Sequence, residues 1–366
     1  MLLGSADPEW DEVLDRSVCD FYHRRSYHAL AEAEGEGEAH LAVFGNGVCC
    51  LAWPYLRRRI EDSGWYDATC VYGYTGPVLA GFDDAKGIDR ASFLADAWRA
   101  LNGVWAEQQI VSVFTRFHPL LENAQFAQGF EGAAAGPAPA LSTLGRTASM
   151  DLRLTQDARL AGYDKETRYE IRRARRMGLE VHVDSDFARL DDLIALYNET
   201  MLRNGAEERY FFSRRYFEQL VQGLGKRARL LVATFRDGIA GLLLVVVDGP
   251  FAQAHITGIA EQHLKLSPLK ALLDAAADTA KALGATWLHL GAGRGGAEDE
   301  LFEFKRRIAR LEHRFIIGRW VVNQARYCEL AGIDSTSPDA REPKFFPAYR
   351  APPPVRSAGR AGETSA

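Results

Sequence analysis

The sequence has little of what marks a redox, metal-binding or membrane protein. Its five cysteines are odd in number and form no CxxC pair, and the adjacent Cys49 and Cys50 are poorly placed for an ordinary disulfide. We therefore predict reduced thiols in the core. The longest apolar run, IAGLLLVVV, has the length of a strand, and no basic segment followed by an apolar one opens the chain. These absences predict a cytoplasmic protein without a transmembrane segment.

The sequence also lacks the short motifs of several enzyme classes. HExxH, GxSxG, a Walker sequence and a Cys-His pair are missing, so metal, acyl-serine and NTPase chemistry lose support. We expect no metal and no tightly bound cofactor. The chain has no excess of positive charge either, because it contains 44 Lys and Arg and 49 Asp and Glu. A general DNA-binding surface is therefore not expected, and any polyanion site must be local.

Length and composition indicate two domains. A chain of 366 residues is too long for one ordinary core, and 47% hydrophobic and 25% charged residues are ordinary globular values. The segment EGAAAGPAPALSTLGRTASM (131–150) shows neither a helical nor a strand period, which is typical of a loop or an inter-domain crossing. We predict domains at 1–150 and 151–350 and a disordered tail at 351–366. We expect a monomer or a weak dimer.

The two halves of the chain follow one pattern. AHLAVFGNGVCCLAWPYLRRR and RLLVATFRDGIAGLLLVVVDG each consist of two apolar runs around a turn, which predicts a hairpin in each half. Helical sequence precedes each hairpin, and a strand, a helix and a strand follow it. The order αββαβ therefore occurs twice and favours duplication, with chance recurrence of a common motif as the alternative.

The run YDKETRYEIRRARRMG (163–178) concentrates positive charge in an otherwise acidic chain. At about 100° per residue, a helix here has a cationic face and a packing face. The cationic face consists of Lys165, Arg168, Arg172, Arg175 and Arg176, and the packing face of Tyr163, Thr167, Ile171 and Ala174. Glu170 is expected to pair with Arg173. The cationic face suits a phosphate-rich ligand; a solvated helix stabilised by its dipole is the alternative.

The stretch LGAGRGGAEDELFEFKRRIAR (290–310) leaves a strand through a glycine-rich turn and enters a helix. Backbone N–H groups in such a turn can approach an anion, although the spacing matches no P-loop. Arg294 in the turn and Phe304 on the helix are therefore candidates for donor binding. Lys305 suits a cation directed at phosphate or at a developing oxyanion, and a surface lysine is the alternative.

Polar and aromatic side chains end two strands of the first half, in VYGYTGP (71–77) and FTRFHPLLEN (114–123). Groups that contact ligands often lie at strand ends. The candidates for acceptor binding are Tyr72, Tyr74, Arg116 and His118, with an aromatic core as the alternative for the tyrosines. In the second half, His255 shares a strand face with Gln253 and Thr257. We consider His255 for proton transfer, against the alternative of a satisfied core histidine.

Together, YDKETRYEIRRARRMGLEV, HLGAGRGGAEDELFEFKRR and YGYTGP in a duplicated chain resemble the FemAB family of the acyl-CoA N-acyltransferase (GNAT) superfamily. The segment FFPAYR (345–350) adds to the resemblance, which covers roughly residues 10–350. It implies an α+β fold of two tandem GNAT-like domains, each a mixed, mostly antiparallel sheet flanked by helices. The acceptor would lie in the first domain or between the two, and the donor on the second.

The resemblance also implies an activity, the transfer of an amino acid from aminoacyl-tRNA to an amine. Phe304 and Lys305 occupy the family's Phe-Lys position, where the lysine would steady the ester and its anionic intermediate. The basic helix matches the family's basic segment. The long coiled-coil pair of many peptidoglycan-bridge members is missing here, so we expect a small or medium amine as acceptor.

The choice of donor rests on one further stretch, IAEQHLKLSPLKALL. An acetyl-CoA enzyme usually has a glycine-rich turn here whose N–H groups hold the pyrophosphate, whereas Pro268 removes such a group. We therefore expect aminoacyl-tRNA as donor and tRNA as partner. One alternative is an acetyl-CoA-dependent transferase acting on an amino sugar or amino acid. The other is an RNA-binding module without catalysis.

Overall fold

The structure is a computed structural model that describes residues 1–45, 48–82, 87–128, 140–334 and 345–352. The tail for which we predicted disorder lies outside the described residues from position 353 onward. The described residues form one large mixed sheet with helices on both of its faces.

The strands of the described residues are β1 (Leu2–Gly4), β2 (Glu38–Gly45), β3 (Cys50–Arg59), β4 (Tyr66–Thr69), β5 (Val78–Ala80), β6 (Ile110–Arg116), β7 (Ala140–Asp151), β8 (Leu179–Asp184), β9 (Ala228–Phe235), β10 (Gly238–Asp248), β11 (Phe251–Ile259), β12 (Trp287–Gly291) and β13 (Leu311–Val321). The α-helices are α1 (Glu9–Leu14), α2 (Arg25–Ala33), α3 (Arg90–Glu107), α4 (Ala124–Gln128), α5 (Gln156–Gly162), α6 (Lys165–Arg176), α7 (Leu190–Arg203), α8 (Arg214–Leu224), α9 (Pro268–Ala282), α10 (Glu300–Ile308) and α11 (Gln324–Ala331).

One unit of strand pairing occurs in both halves. In the first, β2 and β3 form an antiparallel hairpin, β4 adds to β3, and β6 pairs parallel to β4 after the crossover helix α3. In the second, β9 and β10 form the hairpin, β11 adds to β10, and β12 pairs parallel to β11 after α9. A parallel pair needs such a crossover, which explains each long helix. The repeated order of elements and the α+β fold class are confirmed, with a hairpin and a third strand before the crossover helix in each half.

Two strands at the centre of the sheet join the halves. The strand β13 pairs with β6 of the first half and with β7, and β7 pairs in turn with β12. The expectation of an irregular segment over 131–150 is therefore wrong from Ala140 onward; residues 131–139 lie outside the described part. Only the last residues of β7 are buried, so its stability comes from backbone ladders on both sides rather than from an apolar pattern. The division at residue 150 remains a prediction.

The apolar residues of β10 alternate between two cores. Between Leu242 and Val247, even-numbered residues pack into one cluster and odd-numbered residues into another, as a strand between two helix layers requires. The first cluster contains Trp10 from the first half together with Phe217 from the second. The halves therefore share one hydrophobic core beneath the site described below.

The FFPAYR segment returns to the first half. Arg350 Nε donates to Asp67 Oδ2 at 2.5 Å, and Asp67 is only 1% exposed and also pairs with Arg58 at 2.7 Å. The Tyr349 hydroxyl hydrogen-bonds the Ser112 hydroxyl at 2.7 Å. A buried charge held by two arginines fixes this segment against β4 and β6.

Two sequence predictions concern the cysteines and the membrane. All five cysteines are buried and no disulfide joins them, as predicted. No helix among the described residues combines the length and hydropathy that a membrane span requires.

Candidate active site

The lysine of the Phe-Lys pair lies on α10, the helix that follows the glycine-rich turn. The turn passes into α10 at Asp299, whose carboxylate caps the helix by accepting from the Phe302 N–H at 3.0 Å. From this helix Lys305 Nζ donates to the Ala292 carbonyl at 2.6 Å. Burial lowers the pKa of Lys305 to about 8. The ammonium is therefore held in a largely dry position at the end of β12.

A tyrosine of the first half meets the same residue from the other side. The hydroxyl of Tyr74 accepts a hydrogen bond from the Ala292 N–H at 3.2 Å. Asn123 holds the tyrosine loop by donating to the Thr75 and Pro77 carbonyls at 2.8 and 3.0 Å. Burial raises the pKa of Tyr74 above its ordinary value, so its phenol stays neutral and keeps its proton at physiological pH.

Gly291 makes this convergence possible. Its φ of +75° is a conformation that a residue with a Cβ adopts only with strain. A Cβ at this position would lie 3.2 Å from the Tyr74 hydroxyl and 3.7 Å from Lys305 Nζ. The two polar groups therefore approach the same small space, which the absent side chain leaves open.

The third polar group at this place is Arg116, at the end of β6. Its guanidinium lies 5.2 Å from the Phe114 ring centroid and donates from Nη1 to the Cys70 thiol at 3.6 Å. Charge interaction with Arg116 lowers the pKa of Tyr74, although burial has the larger, opposite effect. An apolar cluster formed by Ala292, Phe315 and Ile317 touches both Tyr74 and Phe114. We call the space bounded by Tyr74, Arg116, Lys305 and this cluster the central site.

Tyr72 lies at the rim of the central site. Its side chain is 55% exposed, and its ring centroid lies 6.0 Å from that of Tyr210 of the second half. The Tyr27 hydroxyl donates to the Tyr72 carbonyl at 2.9 Å and fixes the backbone there. Tyr72 therefore offers an exposed aromatic surface near Arg116.

A buried hydrogen-bond network lies beneath Tyr74 and connects the halves. Asp20 Oδ2 lies 2.9 Å from His118 Nε2 and accepts from Gln253 Nε2 at 2.5 Å. Gln253 Oε1 in turn lies 2.8 Å from His289 Nδ1. All four side chains are at most 2% exposed. His118 is therefore held inside this network beneath Tyr74, and its role in acceptor binding remains a prediction.

The network assigns the protons on its two imidazoles. Because a carboxylate only accepts, Gln253 turns its amide N–H toward Asp20 and its oxygen toward His289, which must donate from Nδ1. The Leu121 N–H donates to His118 Nδ1 at 3.1 Å, so His118 donates from Nε2 to Asp20. His289 packs edge-on against Tyr74 with 4.9 Å between ring centroids, and burial holds its pKa well below the usual range. A neutral imidazole therefore orients the tyrosine.

His255 lies apart from the central site. Its ring packs edge-on against Phe21, Tyr22 and Tyr27, with centroids 5.1, 6.1 and 5.9 Å away. Burial lowers its pKa to about 4, so it is neutral at physiological pH. Tyr22 in turn lies 5.9 Å from Tyr74. The role of His255 in proton transfer remains a prediction.

The basic run forms α6 with the two faces that its periodicity predicted. Thr167, Ile171 and Ala174 are buried, whereas the cations differ in their partners. Arg175 pairs with the fully buried Asp274 at 2.7 Å, and Arg168 donates to the carbonyls of Ala161 and Tyr163. Among the described residues no hydrogen bond or ion pair engages the exposed side chains of Lys165, Arg172 and Arg176.

The ion pair expected between Glu170 and Arg173 does not form. Glu170 binds Lys270 of α9 instead, and Arg173 reaches the Lys265 carbonyl at 3.5 Å. Packing against α9 brings these partners closer than the neighbouring helical turn does. The helix also touches α10, because Arg307 pairs with Glu166 at 3.2 Å. The basic face of α6 and the helix of Lys305 are therefore neighbours.

The remaining donor candidates lie near α10 but outside the central site. Phe304 is partly buried and its ring centroid lies 6.0 Å from Lys270 Nζ. The Arg294 side chain is exposed in the turn, where its N–H donates to the Asp299 cap at 3.1 Å. At the start of α9, Ser267 adopts a φ of +52° and Pro268 is the first helical residue, as the sequence indicated. Among the described residues no cluster of three or more potential ligands could hold a metal ion.

Sequence reasoning missed several residues of the site. His289 had a signal, because a polar residue inside a short apolar strand segment needs a buried partner. Asp20 had none, since nothing in DFYHRR indicates that its carboxylate meets residues 98 and 233 positions away. The role of the Ala292 backbone could not be predicted either, because it depends on contacts from both halves of the chain.

Comparison with known proteins agrees with this architecture. Residues 161–306 match the family described as an acetyltransferase (GNAT) domain. No curated protein sequence matches the chain. Many solved structures do, among them FemX, with a TM-score of 0.66 and 11% identity over 89% of this chain and 98% of FemX.

Two further solved structures match with lower TM-scores. L-PGS from Bacillus licheniformis matches with a TM-score of 0.53 and 15% identity, over 85% of this chain and 91% of that one. The C-terminal domain of a putative lysylphosphatidylglycerol synthetase from Agrobacterium fabrum gives 0.51 and 17%, over 86% and 93%. At such identities the likeness shows the fold. The chain therefore has a GNAT domain match over residues 161–306 and shares its overall fold with FemX.

Proposed function

We propose that this chain forms an amide by transferring an aminoacyl group from aminoacyl-tRNA to the amine of a small acceptor. The GNAT domain match supports N-acyl transfer as the reaction class. The observation that carries the proposal is the convergence of Lys305 and Tyr74 on opposite sides of Ala292. Two donors from different halves then border one space, where an ester carbonyl could lie between donor and acceptor.

The chemistry needs positioning more than covalent help. The neutral amine attacks the ester carbonyl carbon, and the carbonyl oxygen becomes an oxyanion. Lys305 gives one of its three N–H groups to Ala292 and has two left, while the Tyr74 oxygen accepts from Ala292 and keeps its proton for donation. As the intermediate collapses, the C–O bond breaks, nitrogen loses a proton, and the ribose oxygen leaves with a proton. Preorganised donors lower the barrier at the oxyanion stage.

The surroundings of Lys305 favour tRNA as the donor. Lys165, Arg172 and Arg176 are exposed on α6, which touches α10, and they are the kind of side chains that bind a phosphate backbone. At the start of α9, the left-handed Ser267 and Pro268 do not provide the row of N–H groups that hold a pyrophosphate. The name of one structure with the same fold, a putative lysylphosphatidylglycerol synthetase, denotes an aminoacylated product, which supports an aminoacyl group.

Acetyl-CoA is the second candidate donor. The description of the matching family, an acetyltransferase domain, favours it. In this reading Lys305 and Tyr74 stabilise the same oxyanion, and a thiolate leaves instead of a ribose oxygen.

One experiment separates these donors. Purified protein is incubated with a panel of small amines and either a pool of aminoacylated tRNA or acetyl-CoA, with and without ribonuclease. We expect ribonuclease-sensitive amide formation that Lys305→Met abolishes, while Lys226→Met, an exposed control, leaves it intact. Ribonuclease-insensitive transfer from acetyl-CoA would contradict the proposed donor. Tight tRNA binding without transfer, unchanged in Lys305→Met, would indicate an RNA-binding module.

A further inference from the structure

The guanidinium of Arg116 has no anionic partner of its own. Among the described residues no carboxylate lies within 4.0 Å of it, and its one side-chain hydrogen bond goes to the Cys70 thiol at 3.6 Å. A thiol is a weak acceptor, so the five N–H donors of the Arg116 guanidinium are almost unused. A charge that is mostly removed from water normally requires a partner.

Three other buried or half-buried arginines of the described residues have such a partner. Arg24 contacts Asp248 at 2.6 Å, Arg58 contacts Asp67 at 2.7 Å, and Arg159 contacts Asp278 at 2.6 Å. In these three cases a carboxylate compensates the guanidinium charge. Arg116 has no such carboxylate among the described residues, and it borders the central site.

The groups around Arg116 suit an anion with a single charge. The Tyr74 phenol stays neutral because burial raises its pKa. A single guanidinium beside a neutral phenol suits a monoanionic carboxylate better than a phosphate dianion.

We infer that the acceptor is an amine that also carries a carboxylate, as an α-amino acid does, and that Arg116 binds this carboxylate. The inference rests on the proposed function, since it names the acceptor of the same site. Arg116 and Lys305 border the same apolar cluster of Ala292, Phe315 and Ile317. The Arg116 guanidinium lies near the ring of Phe114, which packs on this cluster, and Lys305 binds the Ala292 carbonyl. When Arg116 binds the carboxylate of the acceptor, the amine of the same acceptor lies on the side of Ala292, where the proposed function puts the ester carbonyl.

The test measures binding without any donor. The twenty α-amino acids and their α-amides are compared by ligand-observed NMR, with phosphoethanolamine as the phosphate probe. We expect at least one amino acid to bind about ten times more tightly than its amide, and Arg116→Gln to weaken that binding about 10- to 100-fold. The exposed Arg99, paired with Asp96 on α3, provides the control Arg99→Gln, which should bind as the wild type does.

Further variants keep the result decisive. If a thermal melt shows that Arg116→Gln does not fold, Arg116→Lys carries the test, because it keeps the charge and loses the fork, so binding should be intermediate. Equal binding of acids and amides, or preference for phosphoethanolamine, would overturn the inference. Arg116-dependent binding without transfer from charged tRNA would instead overturn the proposed function, while the binding of a carboxylate by Arg116 would stand.

Discussion

Tyr74 and Lys305 bind the two ends of one residue. The hydroxyl of Tyr74, from the first half, accepts from the Ala292 N–H, and the ammonium of Lys305, from the second, donates to the Ala292 carbonyl. Neither side chain can move far without losing its hold on Ala292. This relationship makes the central site a product of both halves.

Removing either donor should slow the chemical step more than it weakens substrate binding. We expect Lys305→Met to lower kcat about 100- to 1,000-fold, as loss of an oxyanion donor does, and Tyr74→Phe about 10-fold, because a neutral hydrogen bond contributes about 1 kcal/mol. The double variant should lose less than the product of the two effects, since both donors act on one oxygen. Single-turnover kinetics with charged tRNA measure this, and full additivity would contradict a shared oxyanion.

The activity should decrease as the pH rises through the pKa of Lys305. Burial lowers that pKa to about 8, so the charged form that stabilises the oxyanion predominates below pH 8 and is lost above it. We expect log kcat to decline above pH 8 after correction for ester hydrolysis. In Lys305→Arg the guanidinium stays charged, so the decline should disappear at a lower overall rate. A decline that persists in this variant would show that another group titrates.

The sequence predicted the repeated unit well and the joining strands poorly. Apolar runs around Gly-Asn-Gly in the first half and Asp-Gly in the second predict the hairpins locally. The alternation of Ile171 and Ala174 with cations determines the buried face of α6. The strand Ala140–Asp151 has no such pattern, because the partners β12 and β13 lie far along the chain and pair with its backbone. Long-range pairing of this kind cannot be read from local periodicity.

The same limit applies to the site. Lys305, Tyr74 and Arg116 were found from motif position and strand ends, and the structure brings them together. The partners that hold the site could not be found, because the buried charge of Asp20 depends on Gln253 and His118 from other strands. The complete burial of His118 could not be predicted either, because local sequence does not show how deep a residue lies below the surface.

The buried network should contribute strongly to stability. Asp20 accepts from Gln253, from His118 and from the Phe21 N–H at 2.7 Å. Asp20→Asn replaces an acceptor by a donor that faces other donors, so we expect a loss of about 3 kcal/mol in the free energy of unfolding. Denaturant titration measures it. Asp186→Asn, at an exposed position, should change it by less than about 0.5 kcal/mol; similar values for both variants would rule out a structural role.

Two arginines of α6 that look alike in sequence should behave differently. Arg175 pairs with Asp274, which is fully buried and also accepts from the Tyr163 hydroxyl at 2.9 Å. Arg175→Glu places a second acid beside Asp274, so we expect a loss of about 2 kcal/mol in unfolding free energy. Arg172→Glu, on the exposed face, should change it by less than about 0.5 kcal/mol. Thermal and denaturant unfolding of both variants measure the difference, and equal losses would contradict the assignment.

The exposed cations of α6 should govern use of the donor. Arg172→Glu combined with Arg176→Glu leaves the Asp274 pair intact, so the fold should persist while KM for charged tRNA rises at least about 10-fold and kcat changes little. The slope of log binding constant against log salt should fall by about 1 to 2, because two phosphate contacts are lost. The control combines Arg215→Glu with Lys226→Glu, two exposed positions at α8 and its end. That helix packs on the opposite face of the sheet, so the control should match the wild type. Equal weakening in both double variants would mean that overall charge, and not the α6 face, attracts the tRNA.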